Sequence, residues 1–308
     1  MFRSTVLPEI ESLDAVKDHQ RITFLSCRVD FPWDTTRALE FALFRTFCVP
    51  SISALLDKTQ EFALRAQKRY DDTDIIVSTL MERGYDSEFG RAALKRMNAI
   101  HGRFDIANED FLYVLSTFVI VPDRWNKRFG WRRMTEKERI AIFHFWREVG
   151  IRMGIRDIPA ELPAFEKFSA DYEREHYRYT EANHRVGLAT RDLFMSWFPG
   201  WLRPFVKKGI YAAMDEPLLD AFGFPRPSPF MRRLVEASLK SRARALRLLP
   251  RRSQPVLRTE VYYVPINFGL NGSLPDKWGT TFFNAQANFN VATFGGSAAR
   301  VQNGTNLT

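Results

Sequence analysis

Apolar residues recur three and four positions apart along most of this 308-residue chain. That is the period of helices that bury one face. Asp34 is placed to cap a helix through Thr35–Phe47 that Pro50 stops. Ser53 opens a long helix to Arg83, with Gly84 suited to the left-handed position past its end. Ser87 starts the next, through Ile100. Asn108 caps another, with Glu109 and Asp110 in its first turn. This one is apolar almost all round until Pro122 and is therefore expected to be central and buried. Thr135 and Glu138 form a T-x-x-E capping box before a helix over 138–154. Helical spacing continues over 163–177 and 181–198. Pro199, Pro204, Pro217, Pro225, Pro227 and Pro229 cut the following stretch into short pieces, and a basic helix begins at Met231. No internal repeat is present.

The pattern changes at Val261. Residues 261–308 are rich in Asn, Gly, Ser, Thr and aromatics and nearly free of charge. A flexible tail is expected there in preference to a β-rich appendage. The expected fold class is all-α: a single multi-helix globular domain over residues 1–260, followed by an irregular C-terminal tail over 261–308.

Two of the stripes carry polar residues where core residues belong. In the long helix Phe62, Ala66, Ile76 and Leu80 define a face whose intermediate steps fall on Arg69 and Thr73. A guanidinium on a core face needs a partner, because leaving it unpaired costs several kcal/mol. Asp71 or Asp72 would make a structural salt bridge; a ligand carboxylate or a bound oxygen species is the functional alternative. In the next helix Leu94, Met97, His101 and Phe104 step by three, four and three, which turns His101 inward. A lone inward histidine is ordinarily a hydrogen-bonded core residue, yet histidine in an apolar surround is also the common axial ligand of haem. No second His, Cys or carboxylate stands at zinc spacing around it. Arg45 interrupts the apolar run ALEFALFRTF; a salt bridge to Glu40 or another acid is its first reading, a haem propionate its second. Of the other histidines, His144 reads as packed core, His176 and His19 as residues among charges, and His184 as surface or a helix-start contact.

Composition adds one bias. Hydrophobic residues make up 45% and charged residues 26%, an ordinary globular balance, but the formal net charge is +9. From Met231 to Arg252 eight Lys or Arg face the single acid Glu236. An anionic partner is implied, with peripheral contact to an anionic membrane as the expectation. The segment PDRWNKRFGWRR interleaves Trp125 and Trp131 with basic residues, as single-strand binders do, but reads as a connecting loop with aromatic anchors, so no nucleic acid is expected. Cys27 and Cys48 have no metal or redox spacing and read as reduced, buried thiols. Met1–Glu9 has no apolar signal-peptide core, and the longest apolar run, near Phe111–Val121, falls short of the roughly 20 residues of a spanning helix. The expectation is an intracellular protein, cytoplasmic or peripheral on a membrane, with no transmembrane helix in this chain. The sequence has no G-x-S-x-G, G-x-G-x-x-G, Walker or H-E-x-x-H pattern, which speaks against hydrolase, dehydrogenase and kinase classes.

Longer strings carry a resemblance. FPWDTTRALEFALFRTFCVPSISALLDKTQEF, KRYDDT and RMNAIHGRFDIANEDFLYVLSTFVIVPDRW resemble the MpaB and rubber-oxygenase (latex-clearing protein) family. FGWRRMTEKE, FWREVGIRMGIRDIP and ATRDLFMSWF are similar to the same branch, so the likeness covers roughly 21–250. The resemblance implies an all-helical catalytic domain around a buried b-type haem pocket, with His101 as the proximal iron ligand. The family's distal Arg-x-x-Lys-Thr pattern matches Arg69, Thr73 and the residues between, except that Asp72 stands where the pattern has lysine. Arg69 and Thr73 are thereby implied as the residues that stabilise dioxygen. The implied function is haem-dependent oxygenation or cleavage of a double bond in an isoprenoid or other small apolar unsaturated substrate, in a secondary-metabolism setting. The alternative is a haem-binding protein without turnover, or a helical protein of a membrane surface.

Overall fold

The structure, a computed structural model, describes residues 4–250 and 252–260. Every regular element among them is helical, as the all-α expectation requires; the tail from Val261 lies outside the described residues. In chain order the helices are α1 (Leu7–Ser12), α2 (His19–Phe24), α3 (Pro32–Phe47), α4 (Pro50–Thr59), α5 (Glu61–Arg83), α6 (Glu88–His101), α7 (Asn108–Phe129), α8 (Glu136–Arg152), α9 (Leu162–His176), α10 (Glu181–Ser196), α11 (Arg203–Ala213), α12 (Glu216–Phe222) and α13 (Pro229–Leu248). A π-helical turn, Leu25–Asp30, follows α2, and a 3-10 turn, Gly200–Leu202, precedes α11.

The chain forms two compact units, which do not follow chain order. Among the described residues, the first is built from residues 4–66 together with 106–255, and the second from 67–105 together with 256–260.

In the first unit α7 is the central helix, packed against α3, α8, α9 and α13. Its apolar run is buried as expected, but Pro122 does not end it: the helix continues to Phe129. Beyond the proline, Trp125 and Phe129 are buried with Val121 against Ala38 and Ala42 of α3. Burying two large aromatics contributes about 2–3 kcal/mol each, enough to offset the roughly 3 kcal/mol cost of an interior proline. The basic–aromatic segment is therefore mostly helix rather than a loop. Trp125 donates to Asp34 at 3.1 Å and Trp131 to the Asp30 carbonyl at 2.9 Å, so both indoles are spent on the interior.

Asp34 does not cap α3. It lies inside the first turn, buried, and accepts from Trp125 and from Arg242 of α13 at 2.9 Å. The Arg242 guanidinium also sits 3.6 Å from the Trp33 ring centroid, a cation–π contact that clips α13 to α3. Asn108 is the first residue of α7 rather than its cap, and its amide instead grips the backbone of Arg156. Pro50 opens α4 as its first residue, where its missing N–H costs nothing. The capping box of α8 forms as the pattern requires. Glu138 completes it while also accepting from Arg132, which bridges to Asp30.

The long helix expected from Ser53 is broken. Gln60 adopts φ 58°, ending α4, and Arg65 leaves helical geometry inside α5. Neither Gly nor Pro marks the break. The packing that goes with it is Phe62 edge-on to Phe47, with ring centroids 5.0 Å apart. Among the described residues no single helix is long and apolar enough to cross a membrane; α3 and α4, sufficient only when joined, bend 97° from one another.

The second unit contains the rest of α5, all of α6 and residues 256–260. From Ile75 to Met81 α5 is buried on every side, so its interior is wider than a one-face stripe. Asp74 and Glu82, two turns apart, hold the returning chain: Arg258 donates to Asp74 at 3.1 Å, and Glu82 accepts from Arg258 and Thr259. Gly84 takes φ 80° past the end of α5, and Ser87 caps α6 by accepting from Gly90 N at 2.9 Å, both as the sequence indicates. The turn between the helices is so tight that a Cβ on Gly90 would lie 2.0 Å from the Gly84 carbonyl oxygen.

Gly90→Ala is therefore expected to destabilise the protein by about 2 kcal/mol through overpacking against backbone. Gly209→Ala in α11, where a methyl meets nothing within 4 Å, is expected to be neutral or to stabilise by up to about 1 kcal/mol through helix propensity. Urea unfolding of the two variants checks the contrast; equal effects would contradict the described turn.

Candidate functional site

Arg69 and Thr73 lie one turn apart on α5, and the register places their side chains together. Arg69 Nη1 donates to Thr73 Oγ1, and Thr73 Oγ1 donates to the Arg69 carbonyl at 3.1 Å. The hydroxyl thus fixes the guanidinium from its own helix. Of the neighbouring acids, Asp72 is ion-paired with Lys68, and Asp71 accepts from Gln67 at 2.8 Å. Asp72, standing where the family pattern has lysine, meets a lysine one turn back on the same helix.

His101 is the last residue of α6 and is partly buried. Burial pushes its imidazole pKa down, and the charge of Arg69 pushes it further, to about 4. The structure therefore brings three of the four residues singled out from the sequence into one unit, with Arg69 close enough for its charge to act on His101. At neutral pH the imidazole is uncharged and keeps a lone pair, the form in which histidine binds a metal. Phe104, expected on the same inward stripe, is exposed. The reason is local: α6 ends at His101, so the three-residue step to Phe104 no longer follows a helix.

Arg45 lies in the first unit, with partners of its own. Its guanidinium donates to Glu173 at 3.1 Å and to Asp215, while Glu40, the first acid expected for it, pairs with Arg37. Glu173 also binds Arg124 at 3.3 Å and accepts from the Tyr113 hydroxyl at 3.4 Å, and Tyr113 is hydrogen-bonded to Tyr177. Burial holds both phenols well above their usual pKa. Of this cluster the sequence marks only Arg45, as a charge that needs an acid; its partners come from α7, the end of α9 and the start of α12, which no local spacing joins.

The remaining candidates have ordinary roles. His176, expected among solvated charges, stacks on Tyr172 with centroids 3.8 Å apart. His184 Nδ1 lies 2.6 Å from the Phe222 carbonyl. The His144 and His19 rings are 6.4 Å apart, and burial and then the His19 charge lower the His144 pKa. Cys27 and Cys48 are free and buried, and burial raises the Cys27 thiol to about 11. Among the described residues no three His, Cys, Asp or Glu side chains are grouped to hold a bare metal ion. The donor set at the candidate site is instead one neutral imidazole, one fixed cation and one hydroxyl.

Comparison with known proteins gives this arrangement a context. Residues 38–249 match the family described as "ER-bound oxygenase mpaB/B'/Rubber oxygenase, catalytic domain". The chain belongs to this family. The matched span includes Arg45, Arg69, Thr73 and His101. Among its relatives is the ER-bound oxygenase mpaB' of Penicillium brevicompactum, 26% identical over 81% of this chain and 64% of the relative. The ER-bound oxygenase mpaB of the same organism is 26% identical over 74% of this chain and 64% of its own length. The mpaB of Penicillium roqueforti (strain FM164) is 32% identical over 48% of this chain and 52% of the relative. The chain thus spans a little under two thirds of the first two relatives.

The His101 environment makes a sharp titration prediction. In the protein without added cofactor the His101 ring proton signals, followed by NMR, should titrate near pH 4. Arg69→Ala should move the midpoint upward, toward the model-peptide value of about 6.5. Because the folded pKa is depressed, the contribution to stability is present above about pH 6.5 and is lost as pH falls toward 4. A wild-type midpoint at or above 6.5 would contradict the described site.

Proposed function

We propose that this chain is an oxygenase that uses a b-type haem held by His101 to oxidise or cleave a double bond in a small apolar unsaturated substrate of the isoprenoid kind. The observation that carries the reading is the neutral, inward-turned His101 beside a cation, Arg69, that is fixed by Thr73, in a chain whose family and relatives are named as oxygenases. The donor set suits the cofactor. His101, an uncharged imidazole, would be the residue that holds the haem iron, and no cluster of further protein ligands would be needed. When bound, the haem supplies the redox chemistry with dioxygen.

The remaining work falls to the chain. His101 offers its lone pair without a deprotonation step, because burial and Arg69 have already removed the proton. Arg69 presents a charge that cannot be lost and several N–H donors, so negative charge developing on oxygen during reaction is stabilised without reorganisation. Thr73 holds that guanidinium in place. Asp72, between Arg69 and Thr73 in the chain, is ion-paired with Lys68. Arg45 is not needed in this reading, since Glu173 and Asp215 already engage its guanidinium. Peripheral contact with an anionic membrane inside the cell belongs to the proposal: the relatives are named ER-bound, and residues 231–252 are strongly basic.

Oxygen uptake by haem-loaded protein tests the proposal, with an acyclic polyprenyl alkene and its saturated counterpart as paired substrates. Uptake with the alkene alone is expected, with carbonyl or oxygenated products by mass spectrometry. Arg69→Ala should lower the rate by about 100-fold, the usual effect of removing a donor to developing oxyanion charge, and Thr73→Val by less. A haem-loaded protein that consumes no oxygen with any unsaturated isoprenoid would instead be a haem binder without turnover.

A further inference from the structure

Helix α13 carries apolar residues on two opposite sides, and among the described residues only one of these sides is packed into the fold. On its inner side Val235, Leu239, Ala243 and Leu246 step by four, four and three, with Leu239 packed against the cluster around Trp125 and Phe129. A helix that merely covers a core needs no more than this one stripe. On the outer side Phe230, Leu234, Ala237, Ser241, Ala245 and Leu248 step by four, three, four, four and three, and all six are exposed. Phe230 is 72% exposed and Leu248 77%. Beside this stripe runs a row of exposed cations, Arg233, Lys240 and Arg244. The one acid of the helix, Glu236, is taken by Arg128 and Lys240.

The helix that packs against α13 repeats the combination. Trp201, just before α11, is 75% exposed and Phe205, in its first turn, 63%; Arg203, Lys207 and Lys208 lie among them. Large aromatics left in water beside cations, on two neighbouring helices, form the pattern of a surface that lies in a membrane interface. Tryptophan and phenylalanine enter the headgroup boundary, and flanking Lys and Arg reach the lipid phosphates.

We infer that the outer face of α13, with Trp201 and Phe205, is a membrane-docking surface that inserts apolar side chains into an anionic bilayer. The inference rests on the peripheral-membrane part of the proposed function and adds the surface and the mode of binding. Charge selects the occupant: a cationic, aromatic face with its one helix acid already paired complements an anionic lipid surface. Attraction between charges alone would be stripped by salt, whereas inserted apolar area holds.

Flotation of the full chain with phosphatidylcholine vesicles, with and without phosphatidylserine, at low and high salt, tests this. Three proteins are compared: wild type, Trp201→Ser/Phe205→Ser/Phe230→Ser, and Arg233→Glu/Arg244→Glu, each checked for helix content by circular dichroism. All five substituted positions are exposed, so the fold should survive. Wild type is expected to bind phosphatidylserine vesicles with a salt-resistant fraction, and the aromatic variant to bind at least roughly tenfold more weakly. The charge variant should lose its preference for phosphatidylserine. Brominated lipid should quench wild-type fluorescence by more than it quenches Trp201→Phe. Wild-type binding that is wholly salt-sensitive and unchanged in the aromatic variant would overturn insertion while leaving peripheral contact standing. No binding to either vesicle would overturn both. A wild-type dimer in solution that the aromatic variant dissociates, without vesicle binding, would assign the face to a second copy of the chain.

Discussion

A guanidinium cannot shed its charge on burial, so each one taken into the interior must be matched where it lies. This constraint runs through the structure. Arg132 is held between Asp30 and Glu138, Arg45 between Glu173 and Asp215, and Arg242 between Asp34 and the face of Trp33. These matches tie α13 to α3, the start of α8 to the turn before α3, and α3 to α9. Arg69 donates to the hydroxyl of Thr73, its charge acts on the imidazole of His101, and the adjacent Asp72 is engaged by Lys68.

The placing of Arg69 beside His101 connects the fold to the proposed chemistry. The tight turn over Gly84 and Gly90 sets α6 close after α5, the two helices that carry the site residues. Burial and the Arg69 charge then remove the proton that would block His101 as a ligand. The same cation, anchored by Thr73, is the group proposed to stabilise charge on oxygen. The membership in a family named for oxygenases and the local electrostatics support one reading from separate directions.

Much of this was legible in the sequence because it is written in local spacing. Ser87, Gly84 and the Thr135–Glu138 box announce helix ends through contacts made within three residues. Arg69 and Thr73 stood out as polar intrusions on a helical face, and His101 as an inward histidine, before any fold was at hand. What escaped the sequence depends on residues far apart. Asp34 looks like a cap, but its partners are Trp125 and Arg242. Pro122 looks like a stop, but burial of Trp125 and Phe129 carries the helix past it. The break at Gln60 has no glycine or proline to announce it. Residues 67–105 and 256–260 share a unit because Asp74 and Glu82 bind Arg258 and Thr259, a pairing across about 180 positions that no periodicity reveals. Arg45, inside an apolar run, reads as needing an acid, but its acids come from α9 and the start of α12.

His101 is the residue proposed to hold a haem. Titration of the purified chain with hemin, followed by visible absorption for wild type and His101→Ala, tests it most directly. A sharp Soret band that saturates at one equivalent in wild type and is lost or shifted in the variant is the expected result. The same broad, unsaturating spectrum from both proteins would contradict it.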